Sequence, residues 1–179
     1  MNNIIAFAGS NSKNSINHKL VVAVANRVEP CQTTVIRLTD YVIPMYSEDV
    51  ENETGIPEGV QLLKTEISKH QGILISVNEH NGSVSAFFKN ILDWLSRADR
   101  NYLEGKKILL ISTSPGGRGA KSALEYAKSS LPRMGATIVN SFSVPSFQEN
   151  FDLKKGLISN TELQVEIDNA IASFVKEIS

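Results

Sequence analysis

A run of hydroxyl and amide side chains between Ser10 and Asn17 has the chemistry of a phosphate-binding loop. It follows a short apolar run, Ile4–Ala8, and leads into a stretch whose apolar residues recur at helical spacing. A helix N-terminus presents free N–H groups and the positive end of its dipole, so anions bind there. The loop has neither the Gly-Lys-Ser/Thr of a P-loop nor the three glycines of the dinucleotide motif. A serine-rich loop built from side-chain hydroxyls suits a terminal phosphomonoester. The alternative is that Ser15 or Asn17 only caps the helix and the other hydroxyls are solvated.

Two further loops carry residues that suit a flat polar ligand. The first of them, Asn78–Ser83, is polar throughout. The second, Ser114–Gly119, has small residues at its centre, and glycines there let backbone N–H groups approach a planar ring closely, although a plain glycine turn is the other interpretation. No Ser-His-Asp or Cys-His arrangement is visible. The histidines lie in separate segments, which argues against a metal site; they are His18, His70 and His80, and the last is the one expected near a ligand.

All three loops come directly after short apolar runs. Such runs, separated by helical stretches, are typical of parallel strands that are buried on both faces. The carboxyl ends of parallel strands share one edge of the sheet, where open α/β sheets bind their ligands. We therefore expect the three loops to converge on one site. The predicted strands are Ile4–Ala8, Thr34–Leu38, Ile73–Val77, Lys107–Ser112 and Thr137–Val144, and the predicted helices are Asn17–Val28, Gly59–Lys69, Ser85–Ala98, Gly119–Met134 and Thr161–Ile178.

The alternation of five strands with five helices predicts a doubly wound, three-layer α/β sandwich, because parallel strands need right-handed crossover connections. The connection Thr39–Pro57 exceeds the usual loop length, so a role in function or in an interface is expected. The helix Ser85–Ala98 has apolar residues on two faces, with Phe87 and Trp94 away from the core face. This pattern predicts a subunit contact at Phe87 and Trp94; the alternative is that both are boundary residues.

The composition narrows the class of protein. A chain of 179 residues suits one domain with a sizeable core. Its 18 basic and 19 acidic residues leave a net charge of -1, which gives no electrostatic case for binding nucleic acid or an anionic membrane. The single cysteine, Cys31, excludes an internal disulfide. No apolar run approaches the length of a membrane span, and no secretory signal pattern is present, so a cytoplasmic location is expected.

Taken together, the three loops resemble those of the NADPH-dependent FMN reductases, a family of the flavodoxin-like fold that includes flavin, quinone, azo-dye and chromate reductases. The resemblance runs almost end to end. Its most specific part is Glu79–Arg97, because no general constraint of the fold requires that order of polar residues. The residues that carry it are Gly9-Ser10 with Ser15 and Asn17, Pro44-Met45-Tyr46 with Glu48-Asp49, Pro57, Glu79-His80-Asn81-Gly82-Ser83, Phe88-Lys89-Asn90 with Asp93-Trp94-Leu95-Ser96-Arg97, and Ser114 with Gly116-Gly117.

The resemblance implies a flavodoxin-like sheet with strand order 2-1-3-4-5 in a single FMN-binding domain over residues 1–179. It also implies a homodimer or homotetramer with the flavin near the subunit contact. The first loop would hold the FMN phosphate, the second would line the edge of the isoalloxazine ring, and the third would close over the other side. The residues implied in FMN binding are Ser10, Ser12, Ser15, Ile16, Asn17, Asn78, Glu79, His80, Asn81, Gly82, Ser114, Gly116 and Gly117.

The activity that the resemblance implies is FMN-dependent transfer of reducing equivalents from NADPH or NADH to a small-molecule acceptor, such as a flavin, a quinone or an azo dye. The chemistry would then take place on the flavin, with no catalytic side chain. Two departures from the family pattern concern the site. Ser12 stands where the family usually has arginine, which predicts weaker phosphate binding because a charged donor is replaced by a neutral one. Asn78-Glu79-His80-Asn81 stands in place of Pro-Glu-Tyr-Asn, which changes the environment of the ring.

Two other functions are compatible with the residues. The first is a flavin-binding electron carrier or redox sensor without its own NAD(P)H turnover. The net charge of the chain argues against this function, since electron-transfer flavodoxins tend to be strongly acidic and this chain is close to neutral. The second is a phosphate-binding module that uses the first loop alone and binds no flavin. The visible spectrum of the protein separates this second alternative from the flavoprotein functions.

Overall fold

The computed structural model describes residues 3–178, in which a parallel five-stranded sheet lies between two layers of helices. The strands are β1 (Asn3–Ala8), β2 (Gln32–Val35), β3 (Gly72–Val77), β4 (Glu79–His80), β5 (Ser83–Val84), β6 (Lys107–Thr113), β7 (Thr137–Val144), β8 (Phe151–Asp152) and β9 (Leu157–Ile158). The helices are α1 (Ile16–Ala25), α2 (Glu48–Thr54), α3 (Glu58–Ser68), α4 (Ala86–Ala98), α5 (Lys121–Ser130), α6 (Phe147–Asn150) and α7 (Thr161–Ile178).

The main sheet has the order β2-β1-β3-β6-β7, and all of its pairs are parallel. These five strands correspond to the five that the sequence predicts, so the predicted order 2-1-3-4-5 and the flavodoxin-like fold are confirmed. The four remaining short strands form two antiparallel pairs, β4-β5 and β8-β9.

Alternation along the strands divides the core between the two faces of the sheet, because successive side chains of a strand point in opposite directions. In β1, Ile5 and Phe7 pack with residues of α3, α4 and α5. Ile4 and Ala6 pack on the opposite face with residues of α1 and α7. Since both faces are covered, the central strands are apolar over almost their whole length, as the sequence pattern indicated.

Two predicted elements have wrong boundaries for identifiable reasons. The second strand was expected to run to Leu38, but β2 ends at Val35 and Leu38 starts a 3₁₀ turn that buries its side chain. The helix expected over Gly119–Met134 starts at Lys121 and ends as an α-helix at Ser130, with a 3₁₀ turn over Leu131–Met134. Pro132 has no N–H to continue an α-helix, which explains the change of helix type. The expected stop at Gly135 is present, with φ of 97°.

The connection between residues 39 and 57 is held against α4 by a group of hydrogen bonds. Asn90 Nδ2 and Trp94 Nε1 both donate to Pro44 O at 2.9 Å, and Tyr46 N donates to Asn90 Oδ1 at 2.7 Å. The Tyr46 ring meets Trp94 edge to face, at 5.0 Å between centroids. Trp94 is completely buried. The expectation that Trp94 faces a subunit contact is therefore wrong, because the chain's own connection covers this side chain.

A second tie links the same connection to the end of α4. The Glu51 carboxylate of α2 accepts hydrogen bonds from Tyr46 Oη at 3.0 Å and from Arg97 Nε at 2.9 Å. The bond to Glu51 is the main reason why the pKa of the Tyr46 phenol is raised. No residue of α2 is fully buried, so these polar contacts supplement the packing of its partly buried Val50 against the core. Among residues 3–178, no helix combines the length and the apolar character that a bilayer crossing requires.

Candidate functional site

A cavity of about 320 Å³ lies at the carboxyl edge of the sheet, beyond the ends of the neighbouring strands β1, β3 and β6. Its volume falls in the range of roughly 300–1,000 Å³ that is usual for small-ligand pockets. The three loops converge here, as the sequence predicted. The lining residues are Ser10, Ser12, Asn14, Ser15, Ile16, Asn17, Asn78, Glu79, His80, Thr113, Ser114 and Pro115.

Three serine hydroxyls of the first loop accept hydrogen bonds from backbone N–H groups of the loop and of α1, and their own O–H groups remain free to donate. Ser10 Oγ accepts from Ser12 N at 3.3 Å, and Ser12 Oγ accepts from Asn14 N at 3.2 Å. Ser15 is the N-cap of α1, and its Oγ accepts from His18 N at 3.1 Å. None of these three O–H groups donates to an acceptor within residues 3–178. The capping role that the sequence offered as an alternative is therefore real for Ser15, and it leaves the hydroxyl proton available.

Backbone donors add to these hydroxyls. The N–H groups of Ile16 and Asn17 lie in the first turn of α1 and have no acceptor among the described residues. Together with the three serine hydroxyls, they make five donors at one corner of the cavity, next to the positive end of the α1 dipole. A phosphate group accepts hydrogen bonds through all of its terminal oxygens, so this corner matches it chemically. The residues lining the cavity include no lysine and no arginine, so the donors there are neutral.

The side chain of Asn17 serves the fold. It is 4% exposed, and its Oδ1 accepts from Ser76 Oγ at 2.7 Å and from Thr113 N at 3.2 Å. Its Nδ2 donates to Thr113 O at 3.2 Å. The amide thus ties the start of α1 to the ends of β3 and β6. The sequence suggested that Asn17 donates to a bound phosphate. Its side chain bonds to the protein instead, whereas its backbone N–H has no protein partner in the described part of the chain.

The second loop is a tight β-hairpin rather than an irregular loop. Strands β4 and β5 pair Glu79 with Val84 and His80 with Ser83. Asn81 and Gly82 form the turn, with φ of 52° and 80°, and a two-residue Asn-Gly turn of this kind suits the twist of a hairpin. Both turn residues are exposed and lie outside the cavity lining. The hairpin therefore presents its first strand, and not its turn, to the cavity.

Glu79 connects this hairpin to the helix beside it. Its Oε2 accepts from Ala123 N, in the first turn of α5, at 3.1 Å. Ala120, the N-cap of α5, has no side-chain group that could accept such a bond. The Glu79 carboxylate replaces the missing cap, and its negative charge is favourable at a helix N-terminus. Glu79 is consequently a structural bridge as well as a lining residue of the cavity.

The third loop contains two glycines, Gly116 and Gly117, at positions where the fold would also accommodate a larger residue. A Cβ added to Gly116 or Gly117 would meet no atom within 4 Å, and neither residue has a positive φ. Their N–H groups have no acceptor among residues 3–178. Gly116 and Gly117 lie just outside the cavity lining, beside Ser114 and Pro115, which belong to it. Open glycines with unused donors leave room for the close approach of a flat ligand.

Three lining residues were not predicted from the sequence. Asn14 is an exposed residue of the first loop, Thr113 is the last residue of β6, and Pro115 is exposed in the third loop. The signal for Thr113 was its position directly after the predicted strand Lys107–Ser112, one residue before Ser114. Asn14 and Pro115 lie within loops that were already singled out.

The arrangement has no cluster of metal ligands. His18, His70 and His80 lie on α1, after α3 and on β4, respectively. Within the described residues, no group of three or more His, Cys, Asp and Glu side chains could hold a metal ion. The ionisable side chains of the cavity lining are Glu79 and His80, and Glu79 is its single carboxylate.

The sequence profile of the NADPH-dependent FMN reductases matches residues 2–149. The chain belongs to this family. This match confirms the family that the sequence resembles. The protein is therefore an oxidoreductase that uses FMN and NAD(P)H.

Individual relatives agree with this assignment. The reductase is 31% identical over 138 residues to a quinone reductase of Escherichia coli, a match that covers 76% of this chain and 73% of that protein. It is 26% identical over 160 residues to the NAD(P)H-dependent FMN reductase of Pseudomonas aeruginosa, with coverage of 88% and 85%. Among solved structures, it resembles FerB, a flavoenzyme NAD(P)H:(acceptor) oxidoreductase from Paracoccus denitrificans. The TM-score is 0.80 at 26% identity, and the match covers 99% of this chain and 97% of FerB.

Proposed function

We propose that the reductase binds FMN in the cavity at the carboxyl edge of the sheet, with the phosphate at the start of α1. The observation that carries this proposal is the set of five unused donors there: the hydroxyls of Ser10, Ser12 and Ser15 and the N–H groups of Ile16 and Asn17. The isoalloxazine ring would lie between the hairpin and the open glycines Gly116 and Gly117. The contacts at the hairpin would come from Asn78, Glu79 and His80, and Ser114 would close the opposite side.

We infer that the acceptor is a small quinone. The relative in Escherichia coli, at 31% identity, carries the name quinone reductase, and this supports the same acceptor class here. Bound FMN supplies hydride chemistry between NAD(P)H and the acceptor, and the protein contributes binding, orientation and electrostatics. The neutral donors at the phosphate corner, without the usual arginine, support an FMN that is held less tightly than in relatives with that arginine.

We further propose that residues 1–179 form one FMN-binding domain that acts as a homodimer or homotetramer in the cytoplasm. Support for oligomer formation comes from exposed apolar residues on the connection after β2. Val42 is 86% exposed and Met45 is 69% exposed, and Phe87 on the adjacent α4 is half-buried. Light scattering at micromolar concentration and ordinary salt tests this part, and a monomer under those conditions would contradict it.

The decisive experiment combines binding with turnover. FMN is titrated into the flavin-free protein by fluorescence, and NADPH oxidation is then followed at steady state with a benzoquinone as acceptor. We expect saturable FMN binding and NADPH oxidation that depends on both FMN and the quinone. FMN binding without NADPH oxidation would favour an electron carrier, whereas the absence of FMN binding would refute the proposed site.

A further inference from the structure

The side chain of Asn78 is buried at the edge of the cavity with one end of its amide unused. Asn78 follows directly after β3 and is 7% exposed. Its Nδ2 faces His80 Nε2 at 3.5 Å, which is the outer limit of a hydrogen bond. Its Oδ1 is buried and has no donor among the described residues. The free end of the amide is thus the acceptor end, in a residue that lines the cavity.

A buried acceptor without a donor is unfavourable unless something else uses it. Most buried polar atoms in folded proteins are hydrogen-bonded, and leaving one unpaired costs the free energy of its desolvation. Two other side-chain oxygens among residues 3–178 share this condition, Thr33 Oγ1 and Tyr102 Oη. Both lie outside the cavity lining. Of these three unpaired oxygens, Asn78 Oδ1 is the one that belongs to a residue lining the cavity.

We propose that Asn78 Oδ1 accepts a hydrogen bond from bound FMN. This inference rests on the proposed function, because it assumes that FMN occupies the cavity. Oxidised FMN offers two kinds of donor to a neutral acceptor, the N3–H of the ring and the hydroxyls of the ribityl chain. Asn78 then has opposite effects in the two states of the protein: it destabilises the flavin-free fold and strengthens the complex.

The test replaces Asn78 by leucine, which has a similar size and no polar atom. In the flavin-free protein, Asn78→Leu should raise the Tm by about 2–4 °C, because the unpaired acceptor is gone. In the fluorescence titration, the same variant should raise the Kd for FMN about tenfold, because the complex loses a buried hydrogen bond. Asn78→Ala serves as a second variant if leucine obstructs the cavity, and the same direction of change in Kd is expected for it.

Tyr102 provides the matched control. It is 6% exposed, and its hydroxyl is also buried without a partner in the described part of the chain, but it packs in the core between the sheet and α4. Burial raises the pKa of this phenol well above its usual value. Tyr102→Phe should raise the Tm of the flavin-free protein in the same way and leave the Kd for FMN unchanged.

Two analogues identify the donor. With 3-methyl-FMN, which lacks the N3–H, the tenfold difference between wild type and Asn78→Leu disappears if the ring is the donor. With lumiflavin, which lacks the ribityl chain and the phosphate, the difference disappears if a ribityl hydroxyl is the donor. If wild type and both Asn78 variants bind FMN with equal Kd, the proposal is wrong. If wild type does not bind FMN at all, the proposed function fails instead.

Discussion

The buried amide of Asn17 allows a sharp test of how the start of α1 is held. Asn17→Ala removes three hydrogen bonds at once, to Ser76 Oγ, Thr113 N and Thr113 O. Ser76 is fully buried and Thr113 is 1% exposed, so both residues rely on protein partners for these hydrogen bonds. The change should therefore lower the stability of the whole protein, in addition to any effect on the cavity.

The size of the effect follows from the groups that are left behind. An unpaired buried donor or acceptor costs about 1–3 kcal/mol, and the substitution affects two donors and one acceptor. At the low end of that range, the loss is about 3 kcal/mol, a large share of the roughly 5–15 kcal/mol that stabilises a typical domain. For a chain of this size, a loss of about 3 kcal/mol lowers the Tm by roughly 6–12 °C.

Thermal unfolding of the flavin-free protein, followed by circular dichroism, measures this directly. Asn14→Ala is the matched control, because Asn14 is an exposed amide in the same loop that also lines the cavity. We expect the control to change the stability by less than about 0.5 kcal/mol. If Asn17→Ala keeps the wild-type Tm and only weakens FMN binding, the amide acts as a ligand donor and the structural reasoning is wrong.

Three further changes test the site and its loops. Ser15→Asp should keep the cap of α1, since aspartate also caps helices, but should raise the Kd for FMN at least about tenfold through repulsion of the phosphate; an unchanged fluorescence titration would show that the phosphate binds elsewhere. Ser12→Arg should tighten FMN binding up to about tenfold at low salt, with a smaller gain at high salt, as measured by isothermal titration. Gly82→Ala should lower the Tm through a cost of about 1 kcal/mol, because φ of 80° strains an L-residue, whereas Gly117→Ala should leave the Tm of the flavin-free protein within error.

The sheet was predictable because its central strands are buried on both faces. A strand such as Gly72–Val77, buried at every position, leaves an apolar run in the sequence that only Ser76 interrupts, and a surface element leaves no such run. The order of the strands came from the resemblance to a family and not from the runs themselves. The polar strand β2 was the least accurately placed, since Gln32–Val35 has no such run.

The site was predictable at the level of loops but not of individual roles. The fold requires that residues after β1, β3 and β6 meet, so nine of the predicted positions line the cavity. The partners of Asn17 are 59 and 96 positions away, and no local pattern reveals them. The burial of Trp94 likewise depends on a carbonyl 50 positions earlier. The hairpin is different: its Asn81-Gly82 pair is a known turn signal that the sequence did contain.

The bond between Glu79 and Ala123 N couples two parts of the site mechanically. The hairpin packs directly beside the first turn of α5, and the two cannot separate without uncapping that helix. An outward movement of the hairpin is therefore accompanied by fraying of α5, so that the aperture of the cavity and the order of a helix change together. Amide exchange in residues 121–124 consequently reports on how often the hairpin separates from α5, although none of these residues lines the cavity.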